Sequence, residues 1–167
     1  LARVGIESIE IQVPPVAMGR VADPAKFSPE NRETADHSLP VCVAMALIDG
    51  KLTAQQFESD RWAAPDVAAL VSRMKVVPNA ELAERYPHGR PADIRVRLAN
   101  GETLNDFQDV PTGDAERPMD DVAIDRKFMA NAEEKIGRSH AREILECVKR
   151  LESVPRIQEL THMLAAT

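Results

Sequence analysis

Residues 32–40 read Arg-Glu-Thr-Ala-Asp-His-Ser-Leu-Pro, a dense run of titratable and hydrogen-bonding groups that leads straight into the apolar stretch from Leu39 to Ile48. A polar cluster at the mouth of a buried helix offers an anion two things, unpaired backbone N–H groups and the positive end of the helix dipole. His37 and Ser38 fall at that mouth, and Arg32 carries a guanidinium able to grip a carboxylate through two parallel hydrogen bonds. The competing reading is plainer: Asp36 or Ser38 caps the helix and the remainder is exposed loop.

Little else in the chain has the spacing that chemistry needs. The seven glycines form neither a GxGxxG nor a Walker loop, and no serine lies in GxSxG. His37, His88, His140 and His162 lack zinc-site spacing, so no metal is expected. His140 and Glu143, three apart on one helix face, read as an ordinary solvated pair.

A net charge of −6, a pI near 5.3 and an aromatic content of 4% exclude a nucleic-acid binder, which needs a basic face and stacking platforms. No apolar run approaches the roughly 20 residues that span a bilayer, so no membrane contact is expected. Cys42 and Cys147 are too few for a secreted disulfide scaffold. That points to a reducing compartment, the cytoplasm.

The elements that must position residues 32–40 can be read from periodicity. Ile9, Ile11 and Val13 alternate with Glu10 and Gln12, a strand that Pro14-Pro15 stops. A long polar loop is expected from there to about Asp36. Leu39 to Ile48 is apolar all round, as in a helix buried on every side, with Gly50 as its left-handed cap. Thr53 opens a capping box, and Pro65 to Arg73 forms the next helix. A strand follows at Lys75 to Pro78, and Asn79 caps a brief helix reaching Tyr86. Ala92, Ile94, Val96 and Leu98 alternate with Asp93, Arg95 and Arg97, and Asn100-Gly101 fits a type I′ hairpin turn leading into a strand over Thr103 to Val110. After Pro118 the pattern is helical. Asp120 caps a helix burying Val122, Ile124, Phe128, Met129 and Ala132, Gly137 ends it, and Ser139 caps the next. A short helix near Ile157 to Leu164 closes the chain. The expected architecture is α+β, a two-layer sandwich of a mostly antiparallel four-stranded sheet with helices, plus C-terminal helices, and residues 1–167 form a single domain.

The Arg-Glu-Thr-Ala-Asp-His-Ser-Leu-Pro run, followed by Val43 to Gly50, resembles the signature of the MmgE/PrpD family. Further matches follow in order over nearly the whole chain: Phe57, Pro65-Asp66-Val67, Met74-Lys75-Val76, Pro91-Ala92, Asn100-Gly101, Gly113, Pro118 and Lys127-Phe128. The resemblance implies the smaller, C-terminal α+β domain of an enzyme that moves a proton on a carbon beside a carboxylate, with no cofactor. It implies a dehydratase-type lyase for small polycarboxylates such as 2-methylcitrate, or a related decarboxylase or epimerase. The site is then shared with a helical N-terminal domain missing from this chain, which is expected to be inactive alone. A homo-oligomer is also expected. On this reading His37 is the catalytic candidate, and Arg32 and Ser38 are substrate-binding candidates. Two positions depart from the family pattern: Val41 stands where tyrosine is common, and Thr112 where lysine often precedes the glycine. The alternative is a small-acid-binding or oligomerisation module without catalysis.

Overall fold

The computed structural model of the chain describes residues 5–165. They divide into two compact units, the first running to Pro111 and the second starting at Thr112.

The first unit is built on a four-stranded sheet. Its strands are β1 (Ile6–Val13), β2 (Met74–Pro78), β3 (Ala92–Leu98) and β4 (Thr103–Gln108), in the order β2-β1-β3-β4. β1 runs parallel to β2, with Ile9 opposite Met74, and antiparallel to β3, with Ile11 opposite Ile94. β3 and β4 complete the antiparallel hairpin. A parallel pair needs a crossover, and the chain between β1 and β2 supplies the helical layer: α1 (Pro15–Val21), α2 (Arg32–Asp36), α3 (Leu39–Asp49), α4 (Ala54–Glu58) and α5 (Pro65–Val71). Ile9, Ile11, Val13, Met74, Val96 and Leu98 of the sheet pack against Val41, Ala44 and Met45 of α3 and Val67, Leu70 and Val71 of α5. Arg95 and Arg97 stay exposed on the opposite face. The architecture is α+β, with a mostly antiparallel mixed sheet and helices covering one side.

The stretch expected as a long polar loop from Pro14 to Asp36 is mostly helical. It holds α1, a 3₁₀ turn at Pro24–Phe27 and α2. Each piece is seven residues or fewer, too short for a 3.6-residue period to show. Pro15 and Pro24 stand in the first turns of their helices, where a missing N–H costs nothing.

The helix α3 was expected to be buried on every side. It buries one stripe instead, Pro40, Val41, Ala44 and Met45, and leaves Ile48 39% exposed. Its entrance is capped by Ser38 and its exit by Gly50 at φ +71°. Arg61 holds that far end: it bonds Asp49 at 3.0 Å and Asp66 at 2.7 Å, fastening α3 to the start of α5. Hydrogen bonds from Arg61 hold both carboxyls below their ordinary range.

The hairpin turn also differs from expectation. Asn100 keeps a negative φ, and only Gly101, at +86°, is left-handed. The Leu98 carbonyl accepts from the Gly101 amide and the Leu98 amide donates to the Glu102 carbonyl. This is a three-residue loop, a type I turn closed by a left-handed glycine.

The second unit contains α6 (Asp121–Ile136), α7 (Arg138–Lys149) and α8 (Gln158–Ala165). Asp120 caps α6 by accepting from the Ala123 amide at 2.7 Å. Gly137, at φ +79°, turns the chain directly from α6 into α7 and so replaces Ser139 as the cap. Ser139 lies inside α7, its hydroxyl 3.5 Å from Glu143. Ala141, Ile144 and Cys147 are buried on α7, and the His140 ring donates from Nε2 to the Met163 carbonyl at 2.8 Å, joining α7 to α8. Phe128, Met129 and Ala132 are half-buried, whereas Val122 and Ile124 remain 63% and 50% exposed. A unit of three helices has too little interior to cover the first turn of α6.

One-sided burial of α3 has a measurable consequence. Met45→Ala should lower unfolding stability by about 2–5 kcal/mol, because it opens a cavity in the core. Ile48→Ala should cost less than half as much, a contrast that denaturant titration of the two variants checks. Equal losses would contradict the single stripe.

Candidate functional site

α2 and α3 are joined by only two residues, His37 and Ser38, so the candidate cluster is pinned between two helix ends. Asn31 opens α2 by accepting from the Thr34 amide at 2.9 Å. Arg32 is its first residue and His37 its C-cap, about 7.5 Å apart along the axis at 1.5 Å per residue. Both are exposed. Arg32 makes no ion pair with a carboxylate among the described residues.

His37 has a defined orientation despite a side chain that is 67% exposed. Its Nδ1 lies 3.0 Å from the Glu33 carbonyl and 2.5 Å from Asp36 Oδ1. Both are acceptors, so Nδ1 carries the proton, and Nε2 is left facing outward without a protein partner among the described residues. The Glu33 carbonyl, and after it Asp36, hold the imidazole pKa above its ordinary 6.5. A carboxylate fixing the tautomer of an imidazole whose other nitrogen is free is an arrangement suited to moving a proton.

Ser38 occupies a different environment. It is fully buried, its hydroxyl donates to the Lys26 carbonyl at 2.5 Å, and it accepts from the Val41 amide at 3.1 Å. The hydroxyl is spent on the fold, and Pro40 contributes no N–H to the first turn of α3. The structure therefore leaves Arg32 and His37 exposed at opposite ends of α2, with His37 next to the mouth of α3, and turns Ser38 inward as the cap of α3.

Val41, at the position where the family pattern has tyrosine, is 2% exposed and belongs to the core. Cys42 lies one residue further along. Burial first, and then Asp36, push its thiol up to about 11, so it stays protonated at neutral pH and is no nucleophile. The arginines of the open sheet face are paired, Arg97 with Glu7 at 3.0 Å and Arg95 with Asp93 at 3.6 Å.

Asp36 is the participant that sequence reasoning left as a cap alternative. Its adjacency to His37 was visible, but its contact with Nδ1 depends on the existence of α2. Among the described residues no group of three or more His, Cys, Asp or Glu could hold a metal, and no described helix is long and apolar enough to cross a membrane.

Comparison with known proteins gives the chain a family. The model of the MmgE/PrpD C-terminal domain matches residues 4–153. The cis-aconitate decarboxylases of Mus musculus and Homo sapiens are each 26% identical over 142 residues, covering 81% of this chain. The chain spans 28% of the length of each of these relatives. A match that takes in the strand, the α2–α3 junction, the hairpin and the first two helices of the second unit is decisive: the chain belongs to the MmgE/PrpD family and corresponds to its C-terminal domain.

Proposed function

We propose that this chain supplies one wall of the active site of a cofactor-independent lyase for small polycarboxylates, 2-methylcitrate among them, and that a helical domain of the same protein supplies the other wall. The observation that carries the reading is the Asp36–His37 pair, oriented and outward-facing at the junction that bears the family signature, with Arg32 exposed at the other end of the same short helix. Relatives named for decarboxylating cis-aconitate support the substrate class.

Eliminating water from a hydroxy acid takes a proton from the carbon beside a carboxylate and expels the neighbouring hydroxyl, which leaves as water once it has received a proton. Charge accumulates on the carboxylate as the C–H bond breaks, so the groups that lower the barrier are cations already in place. Arg32 would hold the carboxylate in two parallel bonds. His37 would act through Nε2, as a base when neutral and as the donor to the departing hydroxyl when charged, with Asp36 keeping the ring turned. Ser38 acts through position: its buried bonds fix the two residues before it against the mouth of α3. The free thiols of Cys42 and Cys147 fit a reducing, cytoplasmic setting.

In the full-length protein, His37→Ala should lower kcat by about 10²-fold or more, the usual worth of a positioned acid or base. Arg32→Ala should act chiefly on KM. Unchanged turnover in the His37 variant, measured on a polycarboxylate that the parent converts, would remove His37 from the site. Tight binding of citrate by the 167-residue chain alone, seen by calorimetry, would favour a binding module over a half-site.

The raised pKa of His37 can be checked separately. Contacts that favour the charged ring contribute stability fully below pH 6.5, and that contribution disappears as the pH rises through the raised value. An NMR titration should place the midpoint above 6.5, and Asp36→Asn should lower it only in part, since the Glu33 carbonyl is the larger cause. Ser38→Ala should cost about 1–3 kcal/mol in denaturant unfolding, because it leaves the buried Val41 amide and the half-buried Lys26 carbonyl without a partner.

A further inference from the structure

Within the first unit, a cavity of about 280 Å³ opens where the end of β1, α1, the first residue of α3 and the start of β3 meet. None of Arg32, His37 and Ser38 lines it. Its walls are apolar, formed by Val13, Val21, Leu39 and Ala92 with their neighbours, and three polar side chains join them: Arg20, Tyr86 and Arg90.

The charge of this lining is out of keeping with the chain. The protein carries a net charge of −6, yet the cavity holds two guanidinium residues and no acidic one. Arg61, Arg85, Arg95, Arg97 and Arg138 each have a carboxylate partner. Arg20 and Arg90, like Arg32, have none among the described residues. Two uncompensated cations and a phenol beside an apolar hollow match an amphiphilic anion, with the head on the guanidiniums and the body against the aliphatic walls.

We propose that this cavity binds a monocarboxylate with a short aliphatic chain. An apolar cavity of about 150 Å³ takes a six-carbon ring, so a space of about 280 Å³ has room for a six- to eight-carbon acid. A tricarboxylate such as citrate does not fit, since the charge beyond those that the two arginines can meet would be driven onto apolar wall without a partner. Burial of the alkyl chain supplies the affinity, at about 0.8 kcal/mol per methylene, and the arginines supply the preference for an acid over its neutral counterpart.

Titrating the 167-residue chain with hexanoate, followed by amide and methyl NMR, tests this directly. Saturable shifts centred on Val21, Leu39 and Ala92 are expected, with a Kd near or below about 1 mM. Hexanol should bind at least tenfold more weakly, a comparison that needs no variant. Arg20→Gln with Arg90→Gln, in a protein whose remaining spectrum is unchanged, should weaken hexanoate at least tenfold, and citrate should leave the cavity's resonances unmoved. The proposal is overturned if hexanoate produces no saturable shift, if the shifts centre elsewhere, if hexanol binds as tightly, or if the folded double variant binds hexanoate as well as the parent.

Discussion

The hydroxyl of Ser38 lies between the carbonyl of Lys26 and the amide of Val41, out of contact with solvent. Without it the Val41 amide would be buried and the Lys26 carbonyl half-buried with no partner, and an unmet polar group in the interior costs more than an ordinary hydrogen bond contributes. One side chain therefore settles three things together. It starts α3, it draws the Pro24–Phe27 turn against that start, and it fixes where α2 must end. Arg32, Asp36 and His37 inherit their positions from this constraint.

α3 can serve as a fixed reference because it is held at both ends and along one side. Val41, Ala44 and Met45 are locked against the sheet, and the carboxylate of Asp49 takes both Arg61 and Gln56, the latter at 2.6 Å. Gln56 in turn accepts from the Thr53 amide and so closes the capping box of α4. A site made of exposed side chains gains its precision from such a buried support. The Asp36–His37 contact is the outermost layer of that support, and it leaves Nε2 free while fixing the ring that carries it.

The parts of the fold legible in the sequence were those with enough residues to express a period or a strong cap. β1 and β3 showed their alternation, Gly50 marked the end of α3 while its start lay open between Asp36 and Ser38, and the Thr53 and Asp120 caps marked later helices. α1 and α2 escaped notice because seven and five residues cannot display a helical repeat. That omission hid the site's geometry, since the bond from His37 to the Glu33 carbonyl exists only if α2 does. The turn at Asn100-Gly101 was misjudged because composition does not reveal how many residues adopt positive φ. The inward turn of Ser38 depended on the Lys26 carbonyl, twelve residues upstream, which no local pattern announces.

The parallel pairing of β1 with β2 places the whole of α1 to α5 inside one loop of chain. Gln12 and Asn79, joined by a side-chain bond across its closing point, are 67 residues apart in sequence. Closing such a loop is entropically costly before any contact rewards it. The residues that would meet a substrate therefore cannot be held in register by local propensity: they become ordered only when the two strands zip together, and anything that loosens that seam disarms the site without touching it.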